Sequence, residues 1–283
     1  MAEVSVVIPA WNREATLRRA VESALAQTRP AHEIIVVDDG SGDGTAAQAE
    51  ALGTRVIRHA QNRGAAAARN TGIAAARGAL VAFLDSDDAW FPSKLATQVP
   101  VLLASGREVS CHGVRMHLLD HGLTRDQPLL DSADWLTRLA LDCNLSPGAT
   151  QLATKRALER VGPLDEALPR YEDWDWLLRH AAAGGEVLAL PDLLAEVWNR
   201  RGRLGAQHEL SARRFLAKHA ALHARLPPAL RRQAVCDAWL QVSGTYAFEG
   251  RRRDALRVAG IAARQRPLHV AWRIGRHFLG AVG

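Results

Sequence analysis

Residues 80–90, LVAFLDSDDAW, join a short apolar run to a cluster of three carboxylates with no basic residue between them. The run Leu80–Leu84 has the length and composition of a buried strand. A strand that ends in Asp85, Asp87 and Asp88 brings acidic side chains to one edge of a sheet. The stretch therefore predicts a buried strand of a sheet with an acidic site where the strand ends.

The acidic cluster has two interpretations. Crowded carboxylates resist joint ionisation, and a divalent cation such as Mg2+ or Mn2+ relieves their repulsion. Such a cation needs only one or two of them when a diphosphate completes its oxygen shell. The alternative is a solvated acidic turn, in which Asp88 or Ser93 caps a helix that begins near Pro92. Residues 80–90 alone leave both interpretations open.

The chain around this stretch alternates between strand-like and helix-like segments. Apolar or β-branched runs predict strands, and apolar residues at helical spacing predict helices. The predicted elements are strand Val4–Ile8, helix Glu14–Gln27 with Asn12 as a possible cap, strand Glu33–Val37, helix Thr45–Leu52, strand Arg55–His59, helix Ala65–Arg77, strand Leu80–Leu84, helix Pro92–Leu103, strand Val109–Leu118, a loop over 119–132, strand Ala149–Thr154 and helix Lys155–Val161. Such alternation predicts a largely parallel sheet with helices on both faces, which binds ligands where its strands end.

The glycine-rich segment GSGDGT, residues 40–45, follows the second predicted strand. Its spacing differs from the dinucleotide-binding fingerprint, because Thr45 stands where a third glycine is needed. Asp38 and Asp39 precede the turn, and their charge opposes a pyrophosphate there. A carboxylate does accept hydrogen bonds from a base N–H or a ribose hydroxyl, so we expect Asp39 to contact a nucleoside. The alternative is a structural turn rich in Asp and Gly.

Composition limits the class of protein. The chain has 283 residues, of which 48% are apolar and 23% charged, as in a globular protein of one large domain or slightly more. No apolar run reaches the roughly 18–20 residues that span a bilayer, and no signal peptide is recognisable, so we expect a cytoplasmic location. The three cysteines, Cys111, Cys143 and Cys236, lack metal-ligand spacing, which predicts reduced, packed thiols.

Charge is divided unevenly along the chain. Residues 1–197 hold 19 Lys and Arg against 26 Asp and Glu, a balance of −7. Residues 198–283 hold 17 against 4, a balance of +13. The first region therefore needs a local device, such as a metal, a helix N-terminus or a single arginine, to bind an acidic ligand. The second suits anionic lipid, nucleic acid or another acidic polymer.

Four blocks occur in a fixed order over residues 4–88: VSVVIPAWN, IIVVDDGSGDGT, NRGAAAARNTG and VAFLDSDD. In that order and at those spacings they resemble the N-terminal half of family 2 glycosyltransferases of the GT-A fold. The resemblance implies an α/β fold with a mostly parallel sheet between helices. It also implies transfer of a sugar from a nucleotide donor to an acceptor hydroxyl, with inversion at the anomeric carbon and with Mg2+ or Mn2+ as cofactor.

The resemblance further assigns roles to residues of these blocks. Asp87 is the expected metal ligand. The expected donor-binding residues are Pro9, Ala10 and Trp11 around the nucleoside, Asp39 at the base, Asp85 near the ribose, and Arg69 and Ser86 on the donor side.

A second acidic block, YEDWDWLLRH, occupies residues 171–180 at the head of an apolar helical run. Glu172 and Asp173 match the Glu-Asp pair of the family that the chain resembles. An inverting transfer needs a carboxylate that removes the proton of the attacking hydroxyl, and the match gives Asp173 this role of general base. The alternative is that one of the two acids caps the helix and interacts with its dipole.

Three other residues of this block are expected to serve the fold more than the chemistry. Asp175 is expected to be structural. Of Trp174 and Trp176 at most one is expected to stack on a sugar, because side chains two positions apart on a helix diverge.

One departure from the family concerns a histidine that many relatives carry shortly after the base, in a block like Tyr-Arg-x-His-Pro-Gly. This chain has VWNRRGRLG, residues 197–205, with Arg201 at the matching place. Arginine does not ligate a metal, but it grips a diphosphate in a fork. His208 is near enough in sequence to be a substitute, although a lone histidine before a helix is usually structural.

The last part of the chain is helical in pattern. Helices are predicted over residues 207–225, 229–248, 250–265 and 267–280, so we expect a catalytic domain over 1–205 and a basic helical extension over 206–283. Residues 264–283 mix Arg and His with apolar side chains, which suits a helix on an anionic membrane beside a lipid-linked acceptor. An equally good interpretation is a solvated basic face on a helix packed against the catalytic domain.

These interpretations give one main hypothesis and two alternatives. The hypothesis is an inverting glycosyltransferase of surface polysaccharide or glycolipid assembly, which acts on a saccharide or lipid-linked acceptor and has no nucleic acid partner. One alternative is a catalytically inactive sugar-nucleotide-binding relative. The other is a nucleotidyltransferase, although the sequence lacks the Gly-rich phosphate loop with a lysine expected of such an enzyme.

Overall fold

The computed structural model describes residues 2–142, 148–199 and 204–272. They form two compact units. The first contains residues 2–135, 148–167 and 172–199, and the second contains residues 136–142, 168–171 and 204–272.

Strands and helices alternate through the first unit, and the second unit is helical. The elements are β1 (Val4–Ala10), α1 (Leu17–Leu25), β2 (Glu33–Asp38), α2 (Thr45–Ala51), β3 (Arg55–Arg58), α3 (Ala65–Ala75), β4 (Leu80–Phe83), β5 (Ala89–Trp90), α4 (Lys94–Ser105), β6 (Val109–Leu118), β7 (Leu123–Gln127), α5 (Trp135–Leu141), β8 (Leu152–Thr154), α6 (Lys155–Val161), α7 (Glu172–Ala182), β9 (Val187–Asn199), α8 (Gly205–Lys218), α9 (Ala220–Arg225), α10 (Pro228–Phe248) and α11 (Arg252–Ala263). The second unit comprises α5 from Leu136 onward and α8 to α11.

The strands form one mixed, mostly parallel sheet in the order β3-β2-β1-β4-β8-β6-β9-β5, with β7 paired to β6. β1 to β4, β6 and β9 point in one direction, and β5, β7 and β8 point in the other. The predicted α/β class is confirmed. Because the chain passes from β1 to β2 and β3 on one side and then to β4 on the other, the strand order reverses beside β1. Sheets of this type bind ligands at the carboxyl ends of the strands at such a point.

Helix α3 approaches the sheet closely through a glycine. A Cβ atom at Gly72 would lie 2.2 Å from Cγ1 of Val7, which is fully buried in β1. Only a residue without a side chain allows this distance. Gly72 therefore fixes the position of α3, which carries Arg69 about one turn earlier.

Several predicted boundaries differ from the structure. Strand β1 continues through Pro9 instead of ending at Ile8. Proline is tolerated there because β4 pairs only with Val4–Val7 of β1, so the missing N–H removes no ladder bond on that side. The predicted strand Ala149–Thr154 is shorter, since a 3-10 turn at Gly148–Thr150 precedes β8.

Three strands beyond the acidic cluster were not expected, namely the two-residue β5 together with β7 and β9. The predicted loop over residues 119–132 contains β7, which pairs antiparallel with β6. Strand β9 has 13 residues, yet Pro191 interrupts its pattern. The register between β6 and β9 shifts around Gly113, so Pro191 falls at an irregularity where a missing N–H is tolerated.

The second unit has its own apolar core. The predicted helix over residues 207–225 is two helices, α8 and α9, which meet at His219. Residues 267–272 are helical, as predicted for the start of the last helix, whose remainder lies outside the described residues. The buried residues of this core are Ala212, Cys236, Trp239, Val242, Tyr246, Ala255, Val258, Ala259, Ala262 and Val270.

Two of the three cysteines belong to the described residues. Cys111 in the first unit and Cys236 in the second are buried and form no disulfide, as expected of reduced, packed thiols, and Cys143 lies outside the described residues. None of the helices within 2–142, 148–199 and 204–272 combines the length and the apolar composition needed to cross a membrane.

Candidate active site

The carboxyl ends of β1 and β2 lie side by side, with Ala10 paired to Asp38 in the ladder. The backbone N–H of Asp39 donates to the carbonyl oxygen of Ala10 at 2.8 Å. Trp11 follows, with 49% of its surface exposed. The structure therefore brings the predicted nucleoside residues Pro9, Ala10, Trp11 and Asp39 to one edge of the sheet.

Asn12 connects the ends of these two strands. Its backbone has a left-handed φ of 51°, which Asn tolerates better than most residues. Its N–H donates to Oγ of Ser41 and its Oδ1 accepts from the N–H of Gly42, both at 2.9 Å. Asn12 is therefore not the cap of α1, which begins only at Leu17; it orders the glycine-rich turn instead.

Asp39 is buried, and its carboxylate accepts hydrogen bonds from three donors. These are Nδ1 of His59 at 2.6 Å and the backbone N–H groups of Arg63 at 3.0 Å and Gly64 at 2.7 Å. Gly64 is the N-cap residue of α3, and negative charge is favourable at a helix N-terminus. Asp39 thus holds the start of α3, and its contact with a nucleoside stays a prediction.

Arg69 of α3 is the centre of the charge network. Its buried guanidinium donates from Nη1 to Oε1 of Glu172 and from Nη2 to Oδ1 of Asp85, both at 2.5 Å. Burial opposes the charge on Arg69, but the carboxylates of Asp85, Glu172 and Asp173 outweigh it and raise the pKa of Arg69. A permanent cation therefore joins the end of β4 to the start of α7.

Space for this guanidinium depends on Gly148, since a Cβ atom there would lie 3.0 Å from Nη2 of Arg69. A small cavity adjoins the same place. Its lining residues are Arg69, Phe83, Gly148, Gln151, Leu158, Leu164, Asp173 and Trp176. Arg69 and Asp173 thus face a common space.

The acidic residues after Asp85 differ in exposure. The side chain of Asp87 is 41% exposed and lies 3.7 Å from the guanidinium of Arg13. Asp88 is buried and accepts from the backbone N–H of Trp198 at 3.1 Å. Burial and the charge of Asp85 raise the pKa of Asp87 and the pKa of Asp88.

The chemistry of Asp87 fits a cation-binding role. The raised pKa of Asp87 means that its surroundings disfavour the ionised carboxylate, and a bound cation would offset this effect. Mg2+ uses one or two carboxylates together with phosphate oxygens. Ser86, beside it, is buried. Within the three described ranges, no group of three His, Cys, Asp or Glu side chains is arranged to hold a metal ion.

Two arginines at this edge were missed by the sequence analysis. Arg19 of α1 donates to the carbonyl oxygen of Asp87, and its guanidinium carbon lies 3.5 Å from the ring centroid of Trp198. The N–H of Arg13 donates to Oγ1 of Thr45 at 2.7 Å. The basic segment WNREATLRR was visible after the first strand, but nothing local indicates which of its arginines meets residues about 70 positions later.

Glu172 and Asp173 are the first two residues of α7. Burial raises the pKa of Glu172, although the charge of Arg69 opposes this effect. Asp173 is half-buried, and its Oδ1 accepts from the N–H of Trp174 at 2.7 Å. Glu172 is therefore the partner of Arg69, whereas Asp173 faces the cavity.

The other acid and both tryptophans of this block support the fold. Asp175 is fully buried and accepts from Nε of Arg179 at 2.9 Å. Trp174 and Trp176 are both buried, and Nε1 of Trp176 donates to the carbonyl oxygen of Gly162 at 3.0 Å.

His208, the possible substitute for the family histidine, lies in the second unit. Its Nε2 is 2.5 Å from the hydroxyl of Tyr171, and its Nδ1 is 2.8 Å from Oγ1 of Thr245. Both ring nitrogens are thus engaged inside that unit. Arg201 lies outside the described residues.

The amino-acid sequence of this chain matches a known protein family. The model of glycosyl transferase family 2 matches residues 5–149. The Escherichia coli UDP-Glc:alpha-D-GlcNAc-diphosphoundecaprenol beta-1,3-glucosyltransferase WfgD is 39% identical over 103 residues, which cover 35% of this chain and 41% of that protein. The chain spans less than two thirds of the length of the curated relatives it matches.

Solved structures show the same fold. TarS of S. aureus superposes with a TM-score of 0.66 at 20% identity, over 95% of this chain and 82% of that one; it has also been solved with UDP and with UDP-GlcNAc. The mannosyltransferase PcManGT from Pyrobaculum calidifontis, in complex with GDP-Man and Mn2+, gives a TM-score of 0.64 at 19% identity, over 100% of this chain and 81% of that one. Both are GT-A glycosyltransferases, and at these identities the likeness concerns the fold.

The bridge formed by Arg69 yields a stability prediction. Replacing Arg69 by Met leaves the buried carboxylate of Glu172 without its cation, so we expect the free energy of unfolding at pH 7 to fall by about 3–5 kcal/mol. The deficit should shrink as the pH is lowered, because the pKa of Glu172 is already raised and protonation removes the unpaired charge. Urea denaturation at several pH values measures this.

The matched control is Arg18→Met. Arg18 pairs with Glu22 on the exposed face of α1, so its loss should change the free energy of unfolding by at most about 0.5 kcal/mol. Equal losses in the two variants would contradict a central role for the bridge.

Proposed function

Because the chain belongs to glycosyltransferase family 2, we propose that it transfers a sugar from a nucleoside diphosphate donor to an acceptor hydroxyl, with inversion at the anomeric carbon. The observation that carries this proposal is the buried bridge from Asp85 through Arg69 to Glu172. Asp85 lies at the strand ends, to which the family motifs assign the donor. Glu172 belongs to the acidic pair to which they assign catalysis. One guanidinium thus joins the two halves of an active site.

On the donor side, the nucleoside is assigned to the edge formed by Pro9, Ala10 and Trp11. The exposed ring of Trp11 offers a face on which a base stacks. Asp39 is assigned to the base, and a ligand N–H would join the three donors that its carboxylate already accepts. Asp85 is assigned to the ribose, with Arg69 and Ser86 completing the donor-side set.

For the cofactor, Asp87 is assigned as the ligand of Mg2+ or Mn2+. Support comes from the Mn2+ in the structure of PcManGT, a protein of the same fold. The chemistry such a cation supplies when bound is neutralisation of the charge that develops on a departing diphosphate. Arg13, 3.7 Å from Asp87, adds a positive charge at the same edge.

For the chemical step, Asp173 is assigned as the general base. Its carboxylate takes the proton of the acceptor hydroxyl as that oxygen bonds to the anomeric carbon and the bond from this carbon to the diphosphate oxygen breaks. Glu172 is less suited to the task, because its carboxylate is buried and held by Arg69. Its part is to fix the guanidinium beside Asp173.

The acceptor is assigned as a saccharide or a lipid-linked saccharide, and the reaction as a step in surface polysaccharide or glycolipid assembly. Support comes from WfgD, whose name describes glucosyl transfer to a diphosphoundecaprenol-linked sugar.

Isothermal titration with UDP-glucose, UDP-N-acetylglucosamine and GDP-mannose, with and without Mn2+, tests the donor class. An inactive relative would bind a donor without releasing nucleoside diphosphate, and a nucleotidyltransferase acting on these donors would release sugar phosphate instead.

The second unit is assigned an anionic membrane surface as its partner. Leu268 and Trp272 are 86% and 55% exposed, and the side chains of Arg252 and Arg253 are exposed at the start of α11. Exposed apolar and basic side chains together suit the boundary of an anionic bilayer. Residues 273–283, which hold the rest of the predicted tail helix, lie outside the described residues. A basic face that is merely solvated is the alternative.

The metal assignment predicts the effect of Asp87→Asn. The amide has the shape of the carboxylate but lacks its charge, so the Mn2+-dependent part of UDP or GDP binding should be lost while the melting temperature stays near that of the wild type. Titration of each nucleotide with and without Mn2+ measures this. Asp126→Asn is the matched control, since Asp126 pairs with Arg115 on an exposed hairpin. Unchanged metal-dependent affinity in Asp87→Asn would show that the assignment is wrong.

The base assignment predicts the effect of Asp173→Asn. A positioned base contributes about a hundredfold to ten-thousandfold in rate, so release of nucleoside diphosphate should slow by that factor. Donor affinity should barely change, because the carboxylate faces the acceptor. If Asp173 were only a helix cap, the variant would keep its turnover, since Asn caps nearly as well as Asp. Rate, donor affinity and melting temperature measured on one preparation separate the two roles.

The membrane assignment predicts co-sedimentation with liposomes of phosphatidylglycerol and phosphatidylcholine at low salt. Binding should weaken as salt is added, because exposed charges are then screened. Liposomes of phosphatidylcholine alone should bind far less protein, and Leu268→Ser with Trp272→Ser should reduce pelleting with the anionic ones. A wild-type chain that stays in the supernatant at low salt does not use this surface as an anchor.

A further inference from the structure

Segment 161–164 comprises the last residue of α6 and the three residues after it. Each of its four backbone carbonyl oxygens accepts a hydrogen bond from a side chain, three of them from α7 and one from α3. These bonds run from Nη1 of Arg179 to Val161 at 2.7 Å, from Nε1 of Trp176 to Gly162 at 3.0 Å, from Nη2 of Arg179 to Pro163 at 2.6 Å and from Nδ2 of Asn70 to Leu164 at 3.0 Å. All of these residues belong to the first unit.

The backbone of this segment has little freedom of its own. The N–H of Gly162 donates to the carbonyl oxygen of Leu158 at 3.0 Å, which ties the segment to α6. The ring of Pro163 fixes its φ angle. A displacement at Leu164 is therefore passed on to the carbonyls that α7 holds.

Asn70 holds the segment at α3 through both ends of its amide group. Nδ2 donates to the carbonyl oxygen of Leu164 at 3.0 Å, and Oδ1 accepts from the N–H of the same residue at 2.9 Å. Nδ2 also lies 3.1 Å from Oε1 of Glu166. The side chain of Leu164 is buried and lines the cavity that Arg69 and Asp173 face. Asn70 thus fixes one wall of that cavity.

Helix α3 therefore reaches α7 by two routes that start at adjacent residues. Arg69 pairs with Glu172, the first residue of α7. Asn70 leads through segment 161–164 to Arg179. Because an α-helix rises 1.5 Å per residue, the second contact lies about 10 Å further along α7 than the first. One contact at the end of a helix lets its axis swing, whereas two such contacts fix its direction.

We propose that Asn70 is a positioning residue for Asp173 and acts through segment 161–164. Asp173 and Trp176 are three positions apart on α7, and both line the cavity. Because the indole of Trp176 donates to the segment, a shift of the segment turns the face of α7 that carries Asp173. The inference rests on the proposed function, since it takes Asp173 as the base. Asn70 needs no contact with the donor or the acceptor for this role.

The variant Asn70→Leu tests the proposal, because it removes both hydrogen bonds to Leu164 without adding a charge. We expect the turnover number for release of UDP or GDP, from whichever of UDP-glucose, UDP-N-acetylglucosamine and GDP-mannose the wild type uses, to fall about tenfold to a hundredfold. The KM for that donor should stay unchanged, because Arg69 keeps its contact with Asp85.

Amide hydrogen exchange reports on α7 directly. The N–H groups of Trp176 and Leu177 have the carbonyls of Glu172 and Asp173 as their helical acceptors. Their exchange in Asn70→Leu should become about tenfold faster than in the wild type, because the first turn of α7 opens more often.

Arg107→Met is the matched control in the same unit. Nη1 of Arg107 donates to the carbonyl oxygen of Val187 at 3.2 Å, and its Nε donates to Glu186 at 2.9 Å. These contacts lie at the amino ends of β6 and β9, at the opposite edge of the sheet from the site. The variant should lower the melting temperature to a similar degree and alter neither the turnover number nor exchange in α7.

Arg179→Lys tests the other end of the same route and serves as the second variant if Asn70→Leu does not fold. Lysine keeps the positive charge beside Asp175 but lacks the planar fork that reaches the carbonyls of Val161 and Pro163. Turnover should again fall and exchange in α7 should again become faster. Because both residues act through one segment, the double variant should be about as slow as the slower single variant.

Four results would overturn the proposal. They are wild-type turnover and exchange in Asn70→Leu, equal losses in Arg107→Met, loss of turnover in Asn70→Leu without faster exchange in α7, and multiplied losses in the double variant. Hydrogen exchange needs no donor, so the contact between Asn70 and α7 is tested even if the wild type releases no nucleoside diphosphate. In that case the proposed function fails on its own evidence.

Discussion

The buried guanidinium of Arg69 is the constraint on which the site depends. A buried cation is tolerated only when carboxylates compensate its charge, and Asp85 and Glu172 supply them from two different parts of the chain. Both acids share the single positive charge of this guanidinium, so loss of Arg69 would leave both carboxylates without their cation. Gly72 against Val7 and Gly148 beside the guanidinium set the position of this bridge by leaving out side chains. Packing and electrostatics therefore both determine where the guanidinium of Arg69 lies.

Much of this arrangement was predictable from local sequence. Strand β4 and the acids after it follow from a few adjacent residues, and the alternation of strands and helices gives the sheet class and the edge at which sheets of this class bind ligands. The pairing of Arg69 with Glu172 did not follow, because it joins residues 103 positions apart. The contact of Arg19 with Asp87 spans 68 positions and was missed for the same reason. Strand β9 was not predicted because Pro191 breaks its sequence pattern. A proline is tolerated there because the pairing with β6 is irregular at that point, which the local sequence does not reveal.

Asp39 shows how tertiary structure adds to a motif. From the sequence it is an acid at a strand end, suited to a base or a ribose. In the fold it also receives the N–H groups at the start of α3, the helix that carries Arg69. A ligand that hydrogen-bonds to Asp39 would therefore contact the residue that holds this helix. His59 completes the set by donating to Asp39 from one nitrogen while its other nitrogen meets the hydroxyl of Thr71, which is itself in α3.

The span of the Arg69 bridge also has a consequence for how the chain is made. Ribosomes deliver a protein from its N-terminus, and contacts between distant residues form late because a long loop must close first. Asp85 emerges 16 residues after Arg69, whereas Glu172 emerges 103 residues after it. A nascent chain that already holds β1 to β4 and Asp85 thus carries an arginine with only one of its two salt-bridge partners. The strand-end part of this bridge is therefore made before its second carboxylate exists, and α7 is the element whose synthesis completes the bridge.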